Sequence, residues 1–224
     1  MIATETKREK EKRTMHYQPL ELDFNLYLVT DRAVLGDRDM LRAVEDALKG
    51  GVRAVQLREK TMGTRELLRL AYEMRELTLK HDARLFINDR VDIAVAVDAD
   101  GVHLGQRSIP PYAVRRFAGR LIIGVSAHSL AEARKAEADG ADFITLGPVF
   151  HTPSKAKYGE PLGLGTLKEV VEDVSVPVFA IGGIGPENLK EVLDAGAHGV
   201  ALISGILGAK DIKGATLKFF RLLK

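Results

Sequence analysis

The chain contains no cysteine. Disulfides and thiolate metal centres are therefore excluded, which fits a cytoplasmic protein. Neither sign of charge dominates: 33 Lys and Arg stand against 31 Asp and Glu, for a net +2. That balance gives no reason to expect nucleic acid or a membrane surface as a partner. No apolar run approaches the roughly 20 residues needed to span a bilayer. What the chain does have is 46% hydrophobic content over 224 residues, enough for one large core.

Charge is concentrated at the start. Glu5, Lys7, Arg8, Glu9, Lys10, Glu11, Lys12 and Arg13 follow one another with no apolar stretch behind them, so no secretory signal can be read there. Residues 1–22 read as a charged N-terminal extension outside the main fold, and residues 23–224 as one domain.

From Phe24 onward, short apolar runs alternate with amphipathic stretches about every 25 residues, the mark of repeated strand–helix units. Strands are expected at Asn25–Val29, Ala54–Leu57, Leu85–Ile87, Gly101–Leu104, Leu121–Val125, Phe143–Leu146, Val178–Ile181 and Val200–Ile203. Helices are expected near Arg38–Lys49, Thr64–Lys80 (with Thr64 as N-cap), Val91–Val97, Pro110–Ala118, Ser129–Asp139, Thr166–Val171 and Pro186–Ala195, with a last one reaching Leu223. Eight units in series predict an α/β fold, a single-domain (β/α)8 TIM barrel; an open doubly wound sheet is the alternative. Gly50, Gly51, Gly140, Gly196 and Gly199 read as helix caps and tight turns.

In such a barrel, chemistry collects where strands end. Gln56, Arg58 and Lys60 alternate along one strand, so they share a face and suit a multiply charged oxyanion such as diphosphate; a solvated strand end is the other reading. Asp89 beside Asn88 suggests a hard-cation ligand, or else a helix N-cap. Ser126 and His128 share a loop without an orienting acid, a poor triad, so Ser126 reads as a hydrogen-bond donor to substrate and His128 as a capping or packing residue. His103, within the fourth strand, reads as a satisfied interior or barrel-mouth histidine. The loop from Gly147 to Gly165 is long enough to serve as a lid, with Lys155 facing the anion or, alternatively, solvated. Gly182-Gly183 and Ser204-Gly205 resemble the phosphate site formed after strands seven and eight; ordinary turn glycines are the other reading.

The ordered series Tyr27-Leu-Val-Thr-Asp-Arg32, Gln56-Leu-Arg-Glu-Lys60, Ile87-Asn-Asp-Arg90, Asp100-Gly-Val-His-Leu-Gly-Gln106, Gly124-Val-Ser126, Thr152-Pro-Ser-Lys155 and Ile181-Gly-Gly-Ile184 closely resembles the thiamine phosphate synthases. The resemblance runs from about Asn25 to Leu207. It implies a transferase of thiamine biosynthesis that joins 4-amino-2-methyl-5-hydroxymethylpyrimidine diphosphate to a thiazole phosphate, releasing diphosphate. It also implies that Gln56, Arg58, Lys60, Asn88, Ser126 and Lys155 bind the pyrimidine diphosphate, and that Arg58, Lys60, Ser126 and Lys155 carry the chemistry. Asp89 would bind Mg2+. Thr152, Ser154, Gly183, Ile203 and Ser204 would hold the thiazole phosphate. One departure stands out: the family's second metal-binding Asp is replaced by Ser108, a neutral and weaker ligand. Ser154, in a place often held by threonine, keeps the hydroxyl.

Two other readings remain open on the sequence. A thiazole tautomerase on the same scaffold could use His128 as acid/base, but has no use for the clustered cations. A non-catalytic barrel sensing thiamine phosphate is the third. Small-molecule substrates are expected throughout, and a homo-oligomer is compatible with the sequence.

Overall fold

The computed structural model describes residues 22–152 and 160–224. The expected N-terminal extension, apart from Leu22, lies outside the described residues, as do Ser154 and Lys155. Eight parallel strands close into a barrel in chain order: β1 Leu26–Val29, β2 Ala54–Leu57, β3 Arg84–Asn88, β4 Gly101–Leu104, β5 Ile122–Ala127, β6 Phe143–Leu146, β7 Val178–Ile181 and β8 Gly199–Leu202. Strand β1 closes the ring, pairing with β2 through Tyr27–Ala54 and with β8 through Tyr27–Ala201.

The described helices are α1 Arg32–Leu35, α2 Met40–Lys49, α3 Thr64–Lys80, α4 Val91–Ala96, α5 Pro111–Phe117, α6 Leu130–Ala138, α7 Gly163–Asp173, α8 Leu189–Asp194, α9 Ser204–Leu207 and α10 Ile212–Leu222. The longer helices each bury one face. In α3 it is Leu67, Ala71, Met74 and Thr78, spaced three and four apart.

Strand alternation sorts the core into two layers. Leu28, Val55, Ile87, Val102, Ile123, Ile144, Ala180 and Leu202 point outward and meet the helices. Tyr27, Ala54, Phe86, Ile122, Phe143, Phe179 and Ala201 point inward, with Leu22 and Phe24 packed among them. Phe143 meets Phe24, Tyr27, Phe86 and Phe179 at centroid distances of 6.0, 5.5, 5.6 and 5.4 Å, all edge-on. Each such pair contributes roughly 0.5–1.5 kcal/mol beyond its buried area. Large rings need small neighbours: a Cβ on Gly124 would stand 2.3 Å from Phe143 and 2.6 Å from His103.

At the N-terminal ends of the strands the same device appears twice. Asp100, just before β4, accepts Leu85 N–H at 2.8 Å and Arg75 of α3 at 2.6 Å. Asp142, just before β6, accepts Ile123 N–H at 2.6 Å and also meets Arg115 of α5. These pairs lie at the end of the barrel away from the site and tie helices to strands.

The structure corrects several local expectations. Gly63, not Thr64, occupies the N-cap position of α3, and the Thr64 hydroxyl accepts from Arg90 Nη1 at 3.0 Å. Gly199 is no helix cap; it opens β8, where a Cβ would stand 2.1 Å from the Asn25 carbonyl. Strand β5 runs on to Ala127, so Ser126 is part of the strand and pairs with Thr145. Helix α8 starts at Leu189 because Asn188 folds the preceding turn, accepting from Gly185 N–H and donating to the Gly183 carbonyl. The single turns α1 and α9 had no periodic signal of their own.

Candidate active site

Inward alternation, continued toward the C-terminal ends of the strands, changes the lining from apolar to polar. Above the aromatic layer, Gln56, His103 and Thr145 are each only 3% exposed. Gln56 Nε2 donates to the Tyr27 hydroxyl at 3.1 Å, and that phenol lies 3.5 Å from His103 Nδ1. On the far side of the ring, His103 Nε2 is 3.0 Å from Ser126 Oγ, with Thr145 Oγ1 3.3 Å from both. Burial, chiefly, holds the His103 pKa down to about 3, so the imidazole is neutral at neutral pH. The same burial raises the Tyr27 phenol well above its usual range. A neutral ring has one donor. With the Tyr27 hydroxyl donating to Nδ1, the ring's one proton sits on Nε2 and is donated to Ser126, whose own hydroxyl proton is then free for a ligand in the mouth. His103 is thus the satisfied interior histidine that its place in a strand suggests.

Gln56, Arg58 and Lys60 do not form one continuous strand face. Strand β2 ends at Leu57, leaving Gln56 inside the barrel and Lys60 exposed on the turn that follows. Arg58 is half-buried at the rim, where its N–H donates to Thr30 Oγ1 at 2.8 Å and its guanidinium meets Asp31 at 3.3 Å. Next to this pair, Glu59 meets Arg32 at 3.3 Å, its side chain only 5% exposed. Two neighbouring residues after β1 therefore pair with two after β2. Asp31 stands in the Tyr27–Arg32 motif but has no role assigned there; the acid–base dipeptides following both strands were the available signal.

Asp89 is exposed at the end of β3 with φ +60°, a left-handed conformation that Asp tolerates better than most residues. It does not cap α4, whose N-cap position is Arg90. The carboxylate instead reaches sideways to the loop after β4. There its Oδ1 accepts from the Ser108 hydroxyl and, at 3.4 Å, from Gly105 N–H, while Asn88 Nδ2 donates to Oδ2 at 2.9 Å. Gly105 N–H also donates to Ser108 Oγ at 2.7 Å. The two positions suspected of metal binding thus touch, although they are 19 residues apart in sequence.

On the opposite side of the mouth, the chain after β6 runs beside the end of β7: Val149 N–H donates to Ile181 O and Phe150 N–H to Gly182 O. Gly182 and Gly183 have φ +99° and +66°, and a Cβ on Gly183 would stand 2.6 Å from the His151 carbonyl. Glycine is required there, and it brings the backbone that leads into Thr152 against Gly183. Ile203, Ser204 and Gly205 follow β8, with Ser204 exposed at the first position of α9. Ser126 does not pair with His128, whose Nδ1 contacts the Gly147 carbonyl. Among the described residues no group of three or more His, Cys, Asp or Glu could hold a metal alone, and no helix is long and apolar enough to cross a membrane.

A closed (β/α)8 barrel with a polar, cation-bearing C-terminal mouth and glycine turns after β7 and β8 defines an enzyme scaffold for phosphorylated small molecules. The thiamine monophosphate synthase family matches residues 26–206, and the chain belongs to that family. A putative thiamine-phosphate synthase of Geobacter sulfurreducens is 55% identical over 192 residues, 85% of this chain and 90% of its own. The thiamine-phosphate synthase of Clostridium novyi is 47% identical over 198 residues, covering 88% and 97%. Among solved structures, a thiamine phosphate pyrophosphorylase from Pyrococcus furiosus superposes with TM-score 0.82 at 42% identity, covering 89% of this chain and 95% of that one. The chain is accordingly an enzyme of thiamine phosphate synthesis. These relatives lend no support to a thiazole tautomerase.

Proposed function

We propose that the barrel mouth transfers the aminopyrimidine methylene from diphosphate to a thiazole nitrogen. The methylene C–O bond to diphosphate breaks, and a C–N bond to the thiazole forms. Gln56, Asn88 and Ser126 hold the pyrimidine end. Arg58, Lys60 and Lys155 offset the charge that builds on the departing diphosphate, where preorganised cations act most strongly. Thr152, Ser154, Gly183, Ile203 and Ser204 hold the thiazole phosphate so that its nitrogen faces the cationic carbon, a task of positioning. No protein nucleophile is required, in keeping with burial having lowered the pKa of His103, which is bonded to Ser126, to about 3, too weak a base to activate that hydroxyl.

The oxygen donors at Asp89 and Ser108 fit Mg2+. That ion takes one or two protein carboxylates and fills its other positions with water and substrate phosphate. The two residues touch at the rim, and all their donor atoms are hard oxygens. Mg2+ bound there would neutralise diphosphate oxygens and make diphosphate a better leaving group. Because Ser108 contributes no charge, the metal would bind chiefly with the diphosphate rather than before it.

The observation that carries this reading is the meeting of Asp89 and Ser108 across the β3 and β4 loops, at the same barrel end as Arg58 and Ser126. It is tested by the Mg2+ concentration that gives half-maximal turnover. Ser108→Asp adds a carboxylate and should lower that concentration about tenfold, whereas Asp89→Ala should raise it about a hundredfold or more. If both variants keep the parent's Mg2+ dependence, the metal does not sit there.

A further inference from the structure

Arg38 precedes α2, which starts at Met40, and takes no part in the site described above, yet it holds two elements that reach the mouth. Its Nε donates to Leu35 O at 3.1 Å and its Nη2 to Val34 O at 3.2 Å, both carbonyls of α1. Its Nη1 donates to Ala209 O at 2.8 Å and its Nη2 also to Leu207 O, the last residue of α9 and the second residue after it. One guanidinium therefore ties four carbonyls: two from α1, one from the end of α9 and one from the turn just after it.

A single helical turn does not hold itself, since nucleation costs more than one turn returns. Helix α9 has no side-chain cap at its start. Its position rests on burial of Ile206 and Leu207 and on whatever fixes its last carbonyls. Arg38 supplies that fixture, and its other anchor is itself secured. Helix α1 begins at Asp31, which accepts Ala33 N–H at 3.0 Å through one oxygen and meets Arg58 through the other. The turn bearing Ile203 and Ser204 is in this way tied across the β1–β8 seam to the rim residue Arg58.

We infer that Arg38 is a positioning residue for the thiazole phosphate subsite, acting through α9 on Ser204 without touching substrate. This rests on the assignment of Ser204 to the thiazole phosphate. A geometric fork is needed to reach both helices at once, which a lysine ammonium cannot reproduce.

The test is steady-state kinetics of Arg38→Met, Arg38→Lys and Ser204→Ala, each with both substrates varied. Arg38→Met should raise the KM for thiazole phosphate about tenfold, a scale set by losing several hydrogen bonds from a charged donor. Its kcat and its KM for the pyrimidine diphosphate should stay within about twofold, and Arg38→Lys should fall between. If Arg38→Met does not fold, Arg38→Lys carries the same split. An unchanged thiazole phosphate KM in the Arg38 variants, with a raised one in Ser204→Ala, overturns the role of Arg38 alone. Equal losses for both substrates overturn it as well, because they mark general damage to the barrel. No effect in Ser204→Ala removes the subsite itself and the inference with it.

Discussion

Arg58→Met is expected to lower kcat/KM for the pyrimidine diphosphate by about 10²–10³-fold, the cost typical of removing one preorganised donor from a developing negative charge. Two physical terms combine here. The guanidinium that would face the diphosphate is lost, and the Asp31 carboxylate, now 3.3 Å from it, is left without its partner. An unpaired carboxylate at the rim repels an incoming polyanion. For that reason the double variant Asp31→Asn with Arg58→Met should recover part of the loss, and the two changes should not add. Asp31→Asn alone should be milder, because it leaves the guanidinium in place while loosening its orientation. Equal kcat/KM in Arg58→Met and the parent would place the diphosphate elsewhere.

The largest expected effect on stability comes from one hydrogen atom. In Gly124→Ala the new methyl would stand 2.3 Å from Phe143 Cζ and 2.6 Å from His103 Nδ1. Neither neighbour can yield. Phe143 is boxed in by Phe24, Tyr27, Phe86 and Phe179, and His103 is bonded to Ser126 and close to Tyr27. Overpacking of this kind costs about 3 kcal/mol, at the upper end of its usual range. For a domain of this size that lowers Tm by about 6–12 °C. Activity should fall too, because the strain falls on the His103 ring that orients Ser126. Thermal unfolding followed by circular dichroism gives the answer, and a Tm equal to the parent's would mean the barrel interior is looser than its contacts indicate.

Much of the fold was legible in the sequence because each strand is a short apolar run between polar segments. The ranges Ala54–Leu57, Gly101–Leu104, Phe143–Leu146 and Val178–Ile181 coincide with β2, β4, β6 and β7. Where boundaries moved, the cause was a particular contact, local or tertiary, that hydrophobic periodicity does not carry. Asn188 folds a turn that looks like the start of a helix, Arg90 takes the Thr64 hydroxyl, and Gly199 is needed only because the Asn25 carbonyl lies over it. Helices α1 and α9 were invisible because one turn has no period.

The polar residues of the mouth were legible one by one, since they follow the strands directly. Their mutual arrangement was not. That Ser126 meets His103 rather than His128, that Asp89 crosses to Ser108, and that Asp31 faces Arg58 all follow from barrel closure and register. Two neighbouring strands bring together residues far apart in the chain, and only the register says which.

The proposed reaction at this mouth is a metal-assisted departure of diphosphate, with Ser108 where a second carboxylate would be expected. The direct measurement is thiamine phosphate formation by the purified protein from the pyrimidine diphosphate and thiazole phosphate, with Mg2+ or with chelator, read by fluorescence after oxidation. Product with Mg2+ and none with chelator is the predicted result. Equal product under both conditions would contradict the metal's part in the account, and no product under either would contradict the transfer reaction itself.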